Sequence, residues 1–441
     1  MKLSGWGRFP IIDCRLEQPR TVEQLQDLVR AGGPVIARGN GRSYGDSAVN
    51  EDGTISMTHF DRMLHFDPDK GELTVEAGVL LADVISAFLP RGWFPPVTPG
   101  TRFVTIGGMI AADVHGKNHH KHGTFGRFVR WIDLIGADGA IRRCSPAEGA
   151  ELFDLTIGGM GLTGIILRAA FQLIRVETGW IRQKTIGASC LTDAMDIFDR
   201  EPDWTYSVAW IDCLAQGSRL GRSLVFLGEH ALLGELDEKT RTAPFRTPAK
   251  RASRIPLDLP SWALNRYSVR LFNSVYHANA GRKADTRMVD WQNYFYPLDS
   301  IREWNRIYGR KGLVQFQCVL PLKTAEAGLA ALLNAIASVG QGSFLAVLKK
   351  MGPERGSISF PLEGYTLALD FPANPTSLGL LEKLDAITIE HGGRFYLAKD
   401  ARMSPDTLER SDNRISHFRA RRQESGLDKQ FGSHQSRRLS I

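Results

Sequence analysis

Nowhere does this sequence approach eighteen consecutive apolar residues, and its opening MKLSGWGRFP holds no apolar run of signal-peptide length. The expectation is a protein kept in the cytoplasm, without a signal peptide or transmembrane helix. Cysteine is scarce as well. Cys14, Cys144, Cys190, Cys213 and Cys318 are odd in number, far apart and without CxxC spacing, which excludes a disulfide framework and a zinc ribbon. Internal repeats and low-complexity tracts are missing. With 43% hydrophobic and 23% charged residues, long disorder is excluded too. A chain of 441 residues exceeds one ordinary domain and predicts two, each able to bury a core.

Positive charge is present but unevenly placed. Between Arg241 and Lys283, nine Lys/Arg face a single acid, Asp258, among Pro256, Leu257, Leu259, Trp262, Leu264, Leu271 and Phe272. Basic residues interleaved with apolar ones suit an anionic amphiphile or a membrane surface. A solvated loop and a helix with basic edges is the plainer alternative. The segment carries no motif that reads nucleic acid, so no nucleic-acid partner is expected.

The first 177 residues alternate short β-like runs (PVIAR, TISM, ELTVEAG, WIDLIGADG, GIILRAAFQLI) with glycine-rich turns. A helix is predicted in TVEQLQDLVRAGG, where Val22, Leu25 and Leu28 share a face and a glycine pair ends it. From 178 to 394 the strand candidates lengthen, as in TYSVAWIDC, SLVFLGE, LVQFQCVLP, SFLAVLKKM and YTLALDFP. Helices at roughly 324–337 and 376–391 fall between them, predicting a sheet covered by helices on one face. Residues 395–441 return to a helical, basic pattern. The fold class is therefore α+β, with two domains and a C-terminal segment.

Three glycine-rich loops carry the functional signal: ARGNGRSYGDS (37–47), PGTRFVTIGGMIAADVHGKNHHKHGTFG (99–126) and GGMGLTGII (158–166). Glycines there free the backbone N–H groups that cradle phosphate oxygens. The first loop is spaced G-x-G-x-x-x-G and is followed by strands, where a Rossmann unit needs a long helix. A nicotinamide-type Rossmann site is thereby rejected. His115, His119, His120 and His122 crowd the second loop but form no HExxH or Cys/His set, so no metal site is expected. Three such segments within 130 residues point instead to one extended ligand.

These loops resemble the FAD-binding domain of the vanillyl-alcohol-oxidase (PCMH-type) flavoprotein family. Within it, LSGWGR, HGKNHH, YFYPLD (294–299), LVQFQCVLP, YTLALDFP and LAKDAR are similar to the branch that oxidises a lipid-linked ribose. The resemblance implies an FAD-binding domain over 1–177, a substrate (cap) domain on an antiparallel sheet over 178–394, and a segment 395–441 that folds back on the first. It implies non-covalent FAD along Arg38, Gly39, Asn40, Gly41, Arg42, Ser43, Tyr44 and Gly45; Pro99, Gly100, Thr101, Thr105, Gly107, Gly108, Ala112, His115, Gly116, Asn118, Phe125 and Gly126; Gly161, Gly164 and Ile165; and Tyr396.

Lys399, in LAKDAR, corresponds to the family's catalytic lysine, with His115 as a hydrogen-bonding group beside flavin and sugar. A lysine acts as a base once burial lowers its pKa; the plainer alternative is a surface lysine paired to Asp400. Gln315, Gln317, Lys349, Tyr296 and Thr366 match substrate-side positions. On a strand Gln315 and Gln317 share one face while Phe316 and Cys318 take the other. Ala368 stands where well-known members carry a cysteine attacked by electrophilic inhibitors, which implies resistance to such compounds. Thr366 replaces an amide-bearing residue.

The implied activity is oxidation of the 2′-hydroxyl of polyprenyl-phosphoryl ribose by a protein peripheral to the inner face of the membrane. A separate NAD(P)H-dependent short-chain reductase would complete epimerisation to the arabinose lipid. An oxidase of a soluble alditol, aldonolactone or other sugar, and a non-catalytic flavin-binding scaffold, are the alternatives.

Overall fold

The computed structural model describes residues 1–248, 253–260, 266–281, 286–353 and 356–441. The predicted first helix forms as Val22–Arg30, capped by Thr21, whose hydroxyl accepts from the Gln24 N–H at 3.2 Å. It buries Leu25 and Val29 against Ile55, Ile165 and Leu167. Beside it lies a small parallel sheet in the order Leu16–Glu17, Thr54–Ser56, Ile36–Arg38. A five-stranded antiparallel sheet follows, ordered Ile141–Cys144, Val129–Ile135, Ile165–Gln172, Glu72–Glu76, Met63–Asp67. The glycine loops emerge from the ends of these strands.

An eight-stranded antiparallel sheet collects the later strands in the order Arg287–Asp290, Trp180–Ala188, Ser223–His230, Tyr206–Ile211, Val347–Met351, Gly364–Pro372, Leu313–Pro321, Arg394–Phe395. Period-two alternation decides its two faces. Phe316, Cys318, Leu367, Leu369 and Phe371 pack in one core with Leu329, Leu332, Leu333 and Ile336 of helix Leu322–Val339 and with Leu380, Leu381 and Leu384 of helix Pro375–Glu390. Gln315, Gln317, Ala368 and Asp370 take the opposite face and line a cavity. SFLAVLKKM is extended only over Val347–Met351, because Ser343 turns its backbone and side chain to Cys213, Leu345 and Asp370 instead of a strand partner.

Helix Leu322–Val339 is the one described helix long and apolar enough to cross a membrane by length and composition, and it packs beneath this sheet. The C-terminal helices run back to the glycine loops. Val35 bridges Phe431, and the buried Arg422 guanidinium donates to the carbonyls of Leu162 at 3.0 Å and of Phe431.

Candidate active site

One cavity of about 640 Å³ is lined by all three glycine loops and by the exposed face of the large sheet. Its size falls in the range of ligand pockets, 300–1,000 Å³ as an order of magnitude. From the first loop it takes Gly39, Asn40, Gly41, Arg42, Ser43 and Tyr44; from the second Pro99, Gly100, Thr101, Thr105, Gly107, Gly108, Ala112 and His115; from the third Gly161 and Gly164. Gln315, Gln317, Lys349, Tyr396 and Lys399 complete it from the sheet and the LAKDAR turn.

The loop residues suit an anionic, partly flat ligand. Among the described residues no group accepts from the backbone N–H of Asn40, Gly41, Arg42 or Ser43, four consecutive donors at the cavity wall. Gly41 holds φ +61°, the left-handed conformation that turns the chain around them. Asn40 is held by its amide donating to the Phe103 carbonyl at 2.7 Å. The Arg42 guanidinium lies 4.3 Å from the Trp6 ring and 5.4 Å from that of Phe103, with Nε unpartnered. A pyrophosphate would meet both the free N–H row and this cation.

Several residues expected at the cofactor lie behind it. Arg38 turns away and donates to the carbonyls of Ser4 at 2.7 Å and Ala48 at 3.3 Å, bracing the loop whose open cation is Arg42. Gly45 packs on the Asp400 backbone. Gly116 and Asn118 pack on the 96–98 segment, the Asn118 amide donating to the Pro96 carbonyl at 2.7 Å. Phe125 packs on Phe171 with the rings tilted, the Gly126 N–H donates to Asp113 Oδ1 at 2.9 Å, and Ile165 faces the first helix while Ile166 lines the cavity. Tyr396 lines the cavity while donating its hydroxyl to the Ala112 carbonyl at 2.9 Å.

The four histidines part company. His115 is engaged on both ring nitrogens, by Gln317 Nε2 at 3.1 Å and Lys349 Nζ at 3.2 Å. Gly352 donates its N–H to His119 Nδ1; His120 meets the Trp204 carbonyl; His122 meets the Asn118 amide. Among the described residues no three His, Cys, Asp or Glu side chains converge on a metal-sized point. Burial, then Lys349 and His119, hold the His115 pKa well below the usual histidine range, so the ring is neutral. With the Gln317 amide donating to Nε2, the proton sits on Nδ1 and faces Lys349 as a neutral amine. Burial draws Lys349 down to about 7, in agreement.

Gln317 also donates to Thr366 Oγ1 at 3.3 Å, and Thr366 donates to the Cys318 carbonyl at 2.8 Å. Thr366 thus orients Gln317 from behind and does not reach the cavity. Lys350 points to Asp199 on the other side of the strand. Tyr296 is not the aromatic wall: it does not line the cavity but is buried against Trp291 and Phe295, and among the described residues its hydroxyl has no hydrogen-bond partner. The cavity's aromatics are Trp6, Tyr44, Phe103, Trp304 and Tyr396. Tyr296→Phe removes only an unpaired buried hydroxyl and is expected to leave KM within about two-fold; a ten-fold rise in a steady-state assay would return Tyr296 to the site.

Lys399 lines the cavity with its ammonium nitrogen 3.9 Å from the Tyr44 ring centroid, while Asp400 pairs with Arg438 at 2.8 Å. The surface-pair alternative for Lys399 is therefore wrong. Ala368 lines the wall, and no cysteine among the described residues does; Cys318 faces the core with its thiol pushed up to about 12 by burial.

Asp299, Asp370, Trp6, Arg302 and Trp304 line the cavity without having been expected there. Trp6 was within reach through LSGWGR, but the others depend on pairings across tens of residues. Lys117 was also missed. It donates to the Tyr294 carbonyl and lies 4.3 Å from that residue's ring centroid. Burial, then Lys349, lower its pKa to about 7, whereas an unfolded lysine keeps its proton to about 10.4. Between those values the unfolded chain holds the extra proton, so this group's contribution to stability grows as pH rises. The urea midpoint of the native protein should gain on that of Lys117→Met between pH 7 and 9; a constant difference would contradict the burial.

An open row of backbone donors, a flanking cation and a buried lysine facing one cavity fit an FAD-binding oxidoreductase of the vanillyl-alcohol-oxidase (PCMH) type, the class that sequence similarity shows for this chain. Residues 15–145 match the family model described as FAD binding domain, and FAD is the cofactor. Over its full length the chain is 35% identical to decaprenylphosphoryl-β-D-ribose oxidase of Mycolicibacterium smegmatis, covering 97% of that protein. It therefore belongs to the decaprenylphosphoryl-β-D-ribose oxidase family. It is also 33% identical to an uncharacterised Streptomyces coelicolor protein, over 80% of this chain and 97% of the relative. Similarity to L-gulonolactone oxidase of Bos taurus is 30% over 45% of this chain and 46% of that one.

Proposed function

We propose that this protein oxidises the 2′-hydroxyl of a polyprenyl-phosphoryl-β-D-ribose to the 2′-keto sugar. The observation that supports the reading most is that Lys399, His115, Gln315, Gln317 and Lys349 share one cavity with the glycine loops. When bound, FAD supplies the acceptor for the hydride that leaves the carbinol carbon. The chain's own task is to place that carbon and take the hydroxyl proton. Lys399 Nζ, its pKa lowered by burial, accepts the proton. Gln315 and Gln317 hold the sugar from the sheet face, Gln317 with its rotamer set by Thr366 and His115. Lys349 regains its proton when a phosphate enters, because an anion favours the charged amine. With both ring nitrogens engaged by protein groups, His115 is not free to bond the flavin, which supports non-covalent FAD.

The basic, apolar segment supports a peripheral place on an anionic membrane. In helix Arg266–Gly281, Tyr267, Leu271 and Val275 are four residues apart and 69%, 68% and 50% exposed, with Arg266 and Arg270 beside them. Leu257 and Leu259 are exposed on the preceding loop. Trp262, Leu264 and Lys283 lie outside the described residues. Strand Ser253–Arg254 pairs with Ile301–Arg302, which line the cavity, so this surface adjoins the site a lipid-linked sugar must enter. Tyr267→Glu with Leu271→Glu should abolish flotation with phosphatidylglycerol vesicles while sparing turnover of a short-chain substrate; undiminished flotation would sink the membrane assignment. The keto product needs a second hydride donor to return as the epimer, a step we assign to a separate NAD(P)H-dependent short-chain reductase.

Anaerobic mixing of the yellow protein with a short-chain polyprenyl-phosphoryl ribose is expected to bleach its flavin absorbance. No bleaching, with full reduction by a free alditol or aldonolactone, would overturn the lipid-sugar reading.

A further inference from the structure

Asp370 is fully buried on strand Gly364–Pro372 and lines the cavity. It stands directly across from Gln315, whose amide donates to its Oδ1. Its own N–H donates to Ser343 Oγ at 3.0 Å. Among the described residues Oδ2 has no hydrogen-bond partner. A buried carboxylate with one bare oxygen is costly unless a cation or a proton answers it. Lys399 from the LAKDAR turn and Tyr44 from the first glycine loop line the same cavity, Lys399 Nζ lying over the Tyr44 ring. With Tyr308 from the 304–308 turn they are the titratable groups that act on Asp370 electrostatically, none of them through an ion pair within 4 Å among the described residues. Of these, only Lys399 can be a cation. Burial pushes Asp370 up and Lys399 down, and each charge opposes the other's shift.

We propose that Asp370 is a positioning residue for Lys399, holding beneath the cavity the negative charge that enables the lysine amine to take up and keep the substrate's proton. In the reaction the hydroxyl O–H bond breaks and an N–H bond forms on Lys399, while the two electrons leave carbon as hydride to the bound flavin. The Asp370 carboxylate faces the new ammonium. Among the described residues Asp370 is the one carboxylate that favours the charged form of Lys399. The step rests on the oxidase reading; the placing of Asp370 and Lys399 on one cavity does not.

Trace acetylation of the FAD-loaded full chain across pH 6 to 10, with peptide mass spectrometry, reads the pH at which each lysine becomes nucleophilic. In Asp370→Asn the Lys399 midpoint should fall by at least about one unit, the lower bound for removing a close opposite charge. Lys349 is lowered by burial and by Lys399, not directly by Asp370, so it should move less than Lys399 and, if at all, in the opposite direction. Gln315→Met is the second variant: lacking the amide that favours the charged carboxylate, Asp370 takes up its proton at higher pH, and Lys399 should move the same way by a smaller amount. If Asp370→Asn does not fold, the Gln315→Met result decides. An unmoved Lys399 midpoint overturns the proposal even where the variants lose stability.

Because labelling needs no substrate, a shifted midpoint in a protein that the ribose lipid fails to bleach would sink the substrate reading alone. Where bleaching occurs, the rising limb of the pH profile for flavin reduction in Asp370→Asn should move to lower pH with a reduced plateau. A limb left in place would argue against Asp370 acting through Lys399.

Discussion

Lys399→Ala should bind FAD normally and lose substrate-driven flavin bleaching by about 10²–10⁴-fold, the scale of one positioned general base. The expectation follows from where the residue sits. Gly45 packs on the Asp400 backbone, and the Tyr44 N–H donates to the Ala398 carbonyl at 3.0 Å, so the turn carrying Lys399 is fixed directly to the first glycine loop. The side chain reaches the cavity with Nζ over the Tyr44 ring, and among the described residues it makes no hydrogen bond or ion pair. Truncation should therefore spare flavin affinity, and its cost in stability is that of leaving the buried Asp370 carboxylate without its one facing cation, a cost that uptake of a proton by Asp370 limits. Lys399→Arg keeps the charge but cannot release its proton, so it should be as slow as alanine. Partial recovery of Lys399→Ala by added methylamine would show that the missing group is an amine and not packing. Bleaching of Lys399→Ala at the native rate, measured by stopped flow, would remove the residue from the chemistry.

Gly45→Ala should be nearly as damaging by a different route. A Cβ at Gly45 would lie 2.0 Å from the Asp400 carbonyl oxygen and 2.7 Å from the Ala401 Cα. Neither atom can yield without moving the turn that carries Lys399. Overpacking of this kind costs about 1–3 kcal/mol when side chains can adjust, and here the obstacle is backbone. The turn has little freedom to retreat. The Arg438 guanidinium clamps Asp46 and Asp400 together at 2.8 Å each, and the Gln435 amide donates to the Leu397 carbonyl at 2.8 Å. Purified Gly45→Ala is expected to hold less FAD, melt earlier and bleach slowly; unchanged flavin content and melting temperature would show that the loop and the turn are not in contact. Arg438→Met attacks the same junction from the C-terminal helix and should weaken flavin retention in the same direction, because it leaves two buried carboxylates without their cation.

The glycine loops that line the cavity and one face of the large sheet were legible without coordinates, because both signals are local. Glycine spacing marks where backbone N–H groups are exposed, and a period of two places Gln315 and Gln317 together whatever the strand pairs with. What lay beyond reach depends on partners distant in the chain. Arg38 and Arg42 are equivalent as letters, yet Ser4 and Ala48 claim one while Trp6 and Phe103 flank the other. Tyr296 and Thr366 stay off the cavity wall for tertiary reasons: the 291–300 turn packs Tyr296 against Trp291 and Phe295, and Thr366, on the same sheet face as Ala368, spends its hydroxyl on Gln317 and the Cys318 carbonyl. The pairing of Asp370 with Gln315 requires two strands 55 residues apart to align in one register, and the Arg438 clamp joins residues 38 and 392 positions apart. Sequence alone carried the family and the cofactor, and it named the lysine that we propose as base. Only the tertiary structure decided which charges are buried together, because burial and cross-strand register are properties of the packed whole and leave no periodic trace in the chain.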